Sequence, residues 1–169
     1  ADMDVAVQEL DAGIITNAVL PALAILPSQN AFVRWHATDR YLQAKPAGNA
    51  CTVLMATLRN DTGETLSTLS LSYDFGTDFR GVSLAQGEPM PGWRAYFSLT
   101  GTAGSWQNIP PFSTATAGSL CALLPVSSWA PGEVLYVMWA DDNATTEMDG
   151  GYTLDNFVAV VPRSSGVFS

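Results

Sequence analysis

The sequence predicts an all-β protein, an antiparallel β-sandwich of jelly-roll type with little helix. Apolar and polar residues alternate over residues 65–75 and again over 92–99. This two-residue period is typical of strands that turn one face to a core and the other to water. Turn-forming sequences such as "NDTGE" and "APGE" separate the apolar runs. Short strands joined by polar turns are the pattern of sandwiches and jelly rolls.

Six segments carry the strand pattern. In the second of them Leu69, Leu71 and Tyr73 share one face, which we expect to be buried. In the fifth, "EVLYVMWA", both faces are apolar, so we expect a central strand there. The six segments, in chain order, are residues 51–60, 65–75, 92–99, 118–124, 133–140 and 151–161.

The chain of 169 residues is expected to form one domain with flanking segments. We assign the sandwich to residues 31–161 and a C-terminal arm to 162–169. Residues 1–30 form an apolar N-terminal segment, predicted to be a donor strand or an edge strand because "VAVQEL" is compatible with β-structure. Within this segment, residues 13–26 fit a short helix or another strand equally well.

Charged residues are scarce and mostly acidic. They make up 14% of the chain, against roughly 25% in an average domain, and Lys45 is the only lysine. The net charge of −9 argues against nucleic acid and anionic membranes as partners. No run of eighteen apolar residues exists, so we expect no membrane insertion. Lysines normally protect strand edges, so their scarcity favours copies of the chain as partners.

Catalytic patterns are lacking in the sequence. His36 is the only histidine, and no Gly-x-Ser-x-Gly elbow accompanies it, so a Ser-His-Asp site has no support. Neither a phosphate-binding loop nor a dinucleotide-binding glycine pattern is present in its strand-turn-helix context. We therefore expect a protein that is not an enzyme, with His36 in a structural role.

Residues 139–160 concentrate acids, amides and glycines between two apolar runs. Calcium takes about six to eight oxygen ligands from such groups, so this stretch is a candidate calcium site. The spacing differs from an EF-hand loop. A solvated loop, in which Asp155 and Asn156 hold backbone turns through side-chain hydrogen bonds, is the alternative. The candidate ligands are Asp141, Asp142, Asn143, Asp149 and Asp155.

Aromatic residues suggest a second kind of site, at which a sugar ring stacks on tryptophan. Trp93, Arg94 and Trp106 lie in the loop-rich middle of the chain and are the candidates for such a platform. Trp139 ends an apolar strand, so we assign it to the core.

The chain has two cysteines, Cys51 and Cys121, whose spacing does not fit a zinc site. In an oxidising compartment they are candidates for a disulfide, which would close a long loop and restrict the unfolded chain. Two buried thiols are the alternative, and the spacing does not decide between them.

Several stretches between residues 50 and 161 resemble a known kind of module. "LRNDTGETLSTLSLSYDF" contains an N-x-T-G turn followed by L-S-L-S-Y, and "WAPGEVLYVMWADDN" leads to "DGGYTLDNFVAV" with a W-x-D-D-N and L-D-N-F pattern. "GWRAYFSLTGTAGSWQNIP" lies between them. Together they resemble secreted bacterial β-sandwich modules, jelly-roll or galactose-binding-like, of exported and cell-surface proteins. The resemblance implies a secreted location, extracellular or at the cell surface.

Two functions are favoured by these patterns, ahead of a third, a hydrolase, for which the sixteen acidic residues allow many carboxylate pairs but single out none. The first is a non-catalytic extracellular structural protein, a β-sandwich subunit that assembles with copies of itself into a surface layer, filament or matrix. The alternative is a carbohydrate-binding or adhesion module, accessory to an exported enzyme, with extracellular polysaccharide as its partner. No cofactor other than calcium is expected.

The calcium hypothesis predicts a change in thermal stability. If the carboxylates of residues 139–160 bind an ion, a chelator should lower the melting temperature, because a ligand that binds only the native state stabilises it by mass action. A thermal melt with chelator, and another with added calcium, measures the effect. Identical melting temperatures in both would support the solvated loop.

Overall fold

The alternating pattern is confirmed, because the strands form two sheets that pack face to face as a β-sandwich. The structure is a computed structural model, and it describes residues 3–14, 19–20, 22–23, 33–45, 51–78, 93–142 and 151–162. Every described strand pairing is antiparallel except one short parallel pair. Of the predicted C-terminal arm, only Pro162 lies within the described residues.

Six described strands form the larger sheet and four form the smaller one. The larger sheet has the order β1-β2-β3-β10-β5-β8, and the smaller has the order β4-β9-β6-β7. The strands are β1 (Val19–Leu20), β2 (Val33–Trp35), β3 (Leu42–Ala44), β4 (Cys51–Arg59), β5 (Leu66–Asp78), β6 (Arg94–Ser98), β7 (Gln107–Asn108), β8 (Gly118–Trp129), β9 (Val134–Asp142) and β10 (Gly151–Val160).

The core between the sheets is built from the alternate residues that the sequence pattern selects. On β5, Leu71, Tyr73 and Phe75 are buried. Tyr73 meets Trp139 of the opposite sheet edge to face, with ring centroids 5.7 Å apart. Phe75 stacks on Tyr152 of β10 at 5.6 Å. The expected burial of Trp139 in the core is therefore confirmed.

Strand β9 is central in its sheet, between β4 and β6, as its doubly apolar sequence predicts. Leu135 and Val137 face the core between the sheets. Met138 and Ala140 face outward, where they belong to a second apolar cluster. The four-stranded sheet is therefore apolar on both faces, and its outer face needs a cover of its own.

That cover is the N-terminal arm, residues 3–12. It begins with the helix α1 (Met3–Val7), and a 3₁₀ turn at Ala12–Ile14 follows it. Our prediction of extended structure for "VAVQEL" is wrong at residues 5–7. A helix brings Met3 and Val7, four residues apart, onto one face, and both are buried against the sheet. Val5 points away, with 62% of its surface exposed.

The rest of residues 13–26 is only partly described. Val19–Leu20 forms β1, which pairs in parallel with β2 at the margin of the larger sheet. Helix is limited to α1 and two 3₁₀ turns in the described ranges, and none of these helices is long and apolar enough to cross a membrane.

Asn60 joins two turns at one end of the sandwich. Its side-chain amide donates hydrogen bonds to the carbonyls of Glu64 and Trp129, both at 2.8 Å. Its side-chain oxygen accepts hydrogen bonds from the backbone N–H of Thr62 at 3.1 Å and from its hydroxyl at 2.7 Å. Gly63 completes the turn with a φ of 80°, which glycine adopts without strain. The N-x-T-G pattern thus ties the β4–β5 turn to the end of β8.

We predict that Asn60→Ala lowers the free energy of unfolding by about 2–4 kcal/mol, because two carbonyls lose their donor and one bond is fully buried. Chemical denaturation measures the change. The matched control is Asp61→Ala in the same turn, where an exposed carboxylate pairs with exposed Arg59. A change of less than about 0.5 kcal/mol is expected there, and equal effects of the two substitutions would contradict the structural role of Asn60.

Candidate functional site

Strand β8 lies at one edge of the larger sheet as the described strands define it. It pairs with β5 along one side, and no other described strand pairs with its second side. Its twelve residues, "GSLCALLPVSSW", contain no charged side chain. Pro125 removes one backbone donor, so the seven residues 118–124 are the part that can pair without interruption. An uncharged edge of this length is a template for pairing with another strand.

The outer face of the larger sheet exposes apolar side chains beside this edge. Leu123 on β8 is 64% exposed, and Val158 and Val160 on β10 are 45% and 52% exposed. The strand register aligns Leu123 with Ser70 of β5, and Ser70 with Val160. We call these three apolar residues the outer patch. Together with the edge of β8 they form a continuous uncharged surface.

A polar row limits this surface on one side. Asp74 of β5 accepts hydrogen bonds from the hydroxyl of Ser119 and from the side-chain amide of Asn156, the latter at 2.8 Å. These bonds hold the pKa of Asp74 below its usual value. Asn156 lies at a bulge in β10 with a φ of 50°. Both side-chain oxygens of Asp74 therefore accept hydrogen bonds from residues of neighbouring strands.

The N-terminal arm is held by a second group of polar contacts. Asp4 binds Arg94 through bonds of 2.7–2.9 Å that engage both carboxylate oxygens, and the hydroxyl of Tyr96 donates to the same carboxylate at 2.6 Å. Further along the arm, the side-chain amide of Gln8 donates to the carbonyl of Trp106 at 2.7 Å. The indole N–H of Trp106 donates to the carbonyl of Leu10 at 2.8 Å.

Apolar contacts complete the docking of this arm. Tyr96, Trp106 and Met138 are buried beneath it, in the cluster that also contains Met3 and Val7. We call the outer surface of the smaller sheet that holds these side chains the arm face. Because Tyr96 belongs to the polar half of the β6 pattern, its burial depends on the arm and not on the alternation of β6.

The electrostatics of the arm contact favour an ionised Asp4. Partial burial opposes ionisation of this carboxyl, but the hydrogen bonds from Tyr96 and Arg94 and the charge of Arg94 more than offset it, so its pKa lies below the usual value of 3.8. Burial raises the pKa of Tyr96, and its bond to Asp4 adds to the shift, so its hydroxyl stays a donor. The contact is a charge-assisted, bidentate pair.

The residues proposed as a sugar platform do not form one in this structure. Trp93 is buried in the core between the sheets, where its ring lies 6.0 Å from that of Phe75. Trp106 is buried under the N-terminal arm, and Arg94 is bound to Asp4. The loop-rich sequence around Trp93 and Trp106 suggested that their indoles are exposed. Both indoles are instead buried, in two different apolar clusters.

The structure agrees with neither alternative for the cysteines in full. No disulfide joins Cys51 and Cys121, as the alternative of two thiols holds, but both residues are exposed and not buried. The physical reason is their position. Cys51 lies on the edge strand of the smaller sheet, whereas Cys121 lies on the outward-facing side of β8 in the larger sheet, opposite Ser72.

The candidate calcium ligands are only partly described. Asp141 is buried near the end of β9. Asp155 lies on β10 of the other sheet, four residues or about 13 Å beyond Gly151, and accepts a hydrogen bond from the backbone N–H of Asn156 at 2.7 Å. The side chain of Asp142, and all of Asn143 and Asp149, lie outside the described residues. No group of three or more potential metal ligands occurs among the described residues, and the calcium site stays a prediction.

His36 is buried beside a tight turn between β2 and β3. Its Nδ1 atom accepts a hydrogen bond from the backbone N–H of Asp39 at 3.0 Å, and its ring stacks on Tyr41 with centroids 4.6 Å apart. These contacts organise the turn, which is the structural role expected for this histidine.

The sequence analysis missed both the arm face and the edge of β8, although a pattern in the sequence indicates each of them. The four-residue spacing of Met3 and Val7 indicated a helix, and the uncharged run at 118–129 indicated an edge. No protein-family model and no curated protein matches the chain. The resemblance to secreted modules therefore stays a prediction, and the function has to be argued from the geometry.

We predict that Asp4→Asn lowers the free energy of unfolding by about 1 kcal/mol at neutral pH, because a partly exposed ion pair and its hydrogen bonds weaken. A carboxyl with a lowered pKa contributes stability above its unfolded pKa and loses it as the pH falls through its folded pKa. The difference from the parent should thus begin to decrease as the pH falls below about 4, the usual pKa of an aspartate, and should vanish only below the lowered pKa of Asp4 in the folded protein.

Urea unfolding across this pH range measures both effects. Glu9→Gln is the matched control, because Glu9 is an exposed carboxylate on the same arm. A difference between the parent and Asp4→Asn that persists unchanged in acid would contradict the proposed electrostatic contribution.

Proposed function

We propose that this protein is a non-catalytic structural subunit that assembles with copies of itself, through the open edge of β8, into an extracellular layer, filament or matrix. The observation that carries the proposal is the uncharged β8 edge with its adjoining outer patch. Strand addition at an open edge supplies backbone hydrogen bonds, and side chains on alternate positions add contacts.

The composition of the edge supports a copy of the chain as the partner. In an antiparallel pairing of two β8 edges, residues 118–124 of each copy would lie side by side, and no like charges would oppose one another. In this register Leu123 would lie opposite Ser119 of the second copy and diagonally across from its Cys121, and would lose part of its exposure to water. A contact of this kind is isologous, because both copies present the same residues.

The net charge of −9 acts against association at long range. Screening shortens this repulsion to about 8–10 Å at physiological salt. Assembly through an uncharged edge is therefore expected to strengthen with added salt, whereas assembly through ion pairs would weaken.

The alternative function, carbohydrate binding, now has a different candidate residue. Trp35 on β2 is 41% exposed, unlike Trp93 and Trp106. A single exposed indole offers one stacking surface, whereas the β8 edge offers a continuous row of backbone groups. The geometry therefore favours assembly as the main function.

We predict that Leu123→Lys weakens self-association by about tenfold or more, because an exposed leucine that becomes buried contributes about 1.5–3 kcal/mol. Light scattering on a dilution series of the purified protein measures the association midpoint. Thr57→Lys is the matched control, since Thr57 is exposed on the edge strand of the smaller sheet and the change adds the same charge.

Equal weakening by the two substitutions would show that charge alone, and not the β8 edge, controls association. A parent protein that remains monomeric at every concentration and salt level would overturn the proposed function.

A further inference from the structure

We propose that the N-terminal arm is exchangeable, and that in assembled protein residues 3–12 of one copy occupy the arm face of a second copy. This inference deepens the proposed function, since it supposes that the chain assembles. It names a second contact, distinct from the β8 edge, and commits to a single occupant of the arm face, the arm of another copy.

The first argument is that distant parts of the chain hold the arm. The contacts of Asp4 with Arg94, of Gln8 with Trp106 and of Leu10 with Trp106 join residues 90–98 positions apart. Within the arm, the backbone bonds are local: they are those of the helix α1 and of the turn that follows it, as in Leu10 to Val7. The contact therefore has the form of a peptide docked on a domain, and the identical arm of another copy can make every bond in it.

The second argument is that the arm face includes a turn with its own internal support. The hydroxyl of Ser98 accepts hydrogen bonds from the backbone N–H groups of Thr100 at 3.1 Å and Gly101 at 2.8 Å. The same hydroxyl lies 2.6 Å from that of Ser105. These bonds support the turn between β6 and β7 from within, and the backbone N–H of Gly104 in the same turn adds a bond to the carbonyl of Gln8 in the arm at 2.7 Å.

The same turn receives the end of the arm. The backbone N–H of Ala12 donates to the carbonyl of Gly101 at 2.7 Å. Gly101 has a φ of 68°, and a Cβ atom there would collide with Ala12 and with the ring of Tyr136. The absence of a side chain at this position thus makes room for the arm, and the acceptor for its last bond is fixed by the turn.

The third argument is that an empty arm face is costly. Without an arm, Tyr96, Trp106 and Met138 would be exposed to water, and the indole N–H of Trp106 would lose its acceptor. Release of the arm is therefore favourable only when another arm replaces it. Exchange preserves the contacts of both copies. The ratio of exchanged dimer to monomer therefore depends on protein concentration.

The two contacts use different surfaces. The arm face belongs to the smaller sheet, whereas β8 and the outer patch belong to the larger sheet. A copy can therefore take part in both at once. An isologous contact at β8, combined with arm exchange at the opposite sheet, links copies into an extended array.

The test is a charge-reversal complementation made in the Leu123→Lys background, which is expected to weaken the β8 contact. Asp4→Arg places an arginine of the arm against Arg94, and Arg94→Asp places two carboxylates together, so neither variant can pair its own arm. Exchange between the two variants restores both pairs, one reversed and one native. The variants are unfolded together, refolded as an equimolar mixture, and examined by native mass spectrometry.

We expect the mixture to contain a heterodimer at about tenfold or greater excess over the homodimers that either variant forms alone. The double variant Asp4→Arg with Arg94→Asp, which pairs its own arm, is the control for folding. A mixture without heterodimer, while this double variant folds, overturns arm exchange.

The two proposals fail separately in this design. If the heterodimer forms, and Leu123→Lys leaves the association of the protein with native arm residues unchanged, arm exchange stands and the proposed function through β8 fails. If that protein associates through β8 but the mixture gives no heterodimer, the proposed function stands and arm exchange fails.

Discussion

The apolar character of β9 on both of its faces is the constraint on which the arrangement of this protein depends. Leu135 and Val137 need one cover, and Met138 and Ala140 need another. The six-stranded sheet supplies the first, as in any two-layer sandwich. The second comes from a short helix and turn at the start of the described chain. The result is a third, small layer on the outside of the smaller sheet.

The position of that third layer is determined by polar groups more than by apolar area. Asp4, Gln8 and the carbonyl of Leu10 each bind a partner on the arm face. Their spacing matches the helix and the turn that follows it. Apolar packing is non-directional, so these directional bonds decide where along the sheet the arm lies. The same bonds make the docking specific for this sequence of arm residues.

The larger sheet has the opposite character, because its outer face is only partly polar. The bonds of Asp74 with Ser119 and Asn156 join three neighbouring strands at one side of the face. Towards the other side, Leu123, Val158 and Val160 replace such bonds with exposed apolar surface. The molecule therefore covers the outer face of one sheet with its own chain and leaves apolar side chains exposed on the other. This asymmetry is the basis of our proposal that the larger sheet associates with a second copy.

The sequence by itself determined six of the ten described strands, several of the turns and part of the inner core. Alternation over 65–75 selected Leu71 and Tyr73 as core residues, and the doubly apolar run at 133–140 identified the central strand. Such features are local, since side chains on a strand alternate between its two faces whatever the partner. The N-x-T-G pattern at Asn60 was likewise readable, because turn residues act through bonds to near neighbours.

Only the tertiary structure decided what covers each face. Trp93 and Trp106 occur in similar loop-rich surroundings in the sequence, yet they are buried in different clusters. Tyr96 lies on the expected polar face of β6 and is buried because the N-terminal arm packs over it. The exposure of Cys121 follows from its outward side of β8. Periodicity records that a residue faces one side or the other, but burial depends on contacts between segments some ninety residues apart, which local sequence does not encode.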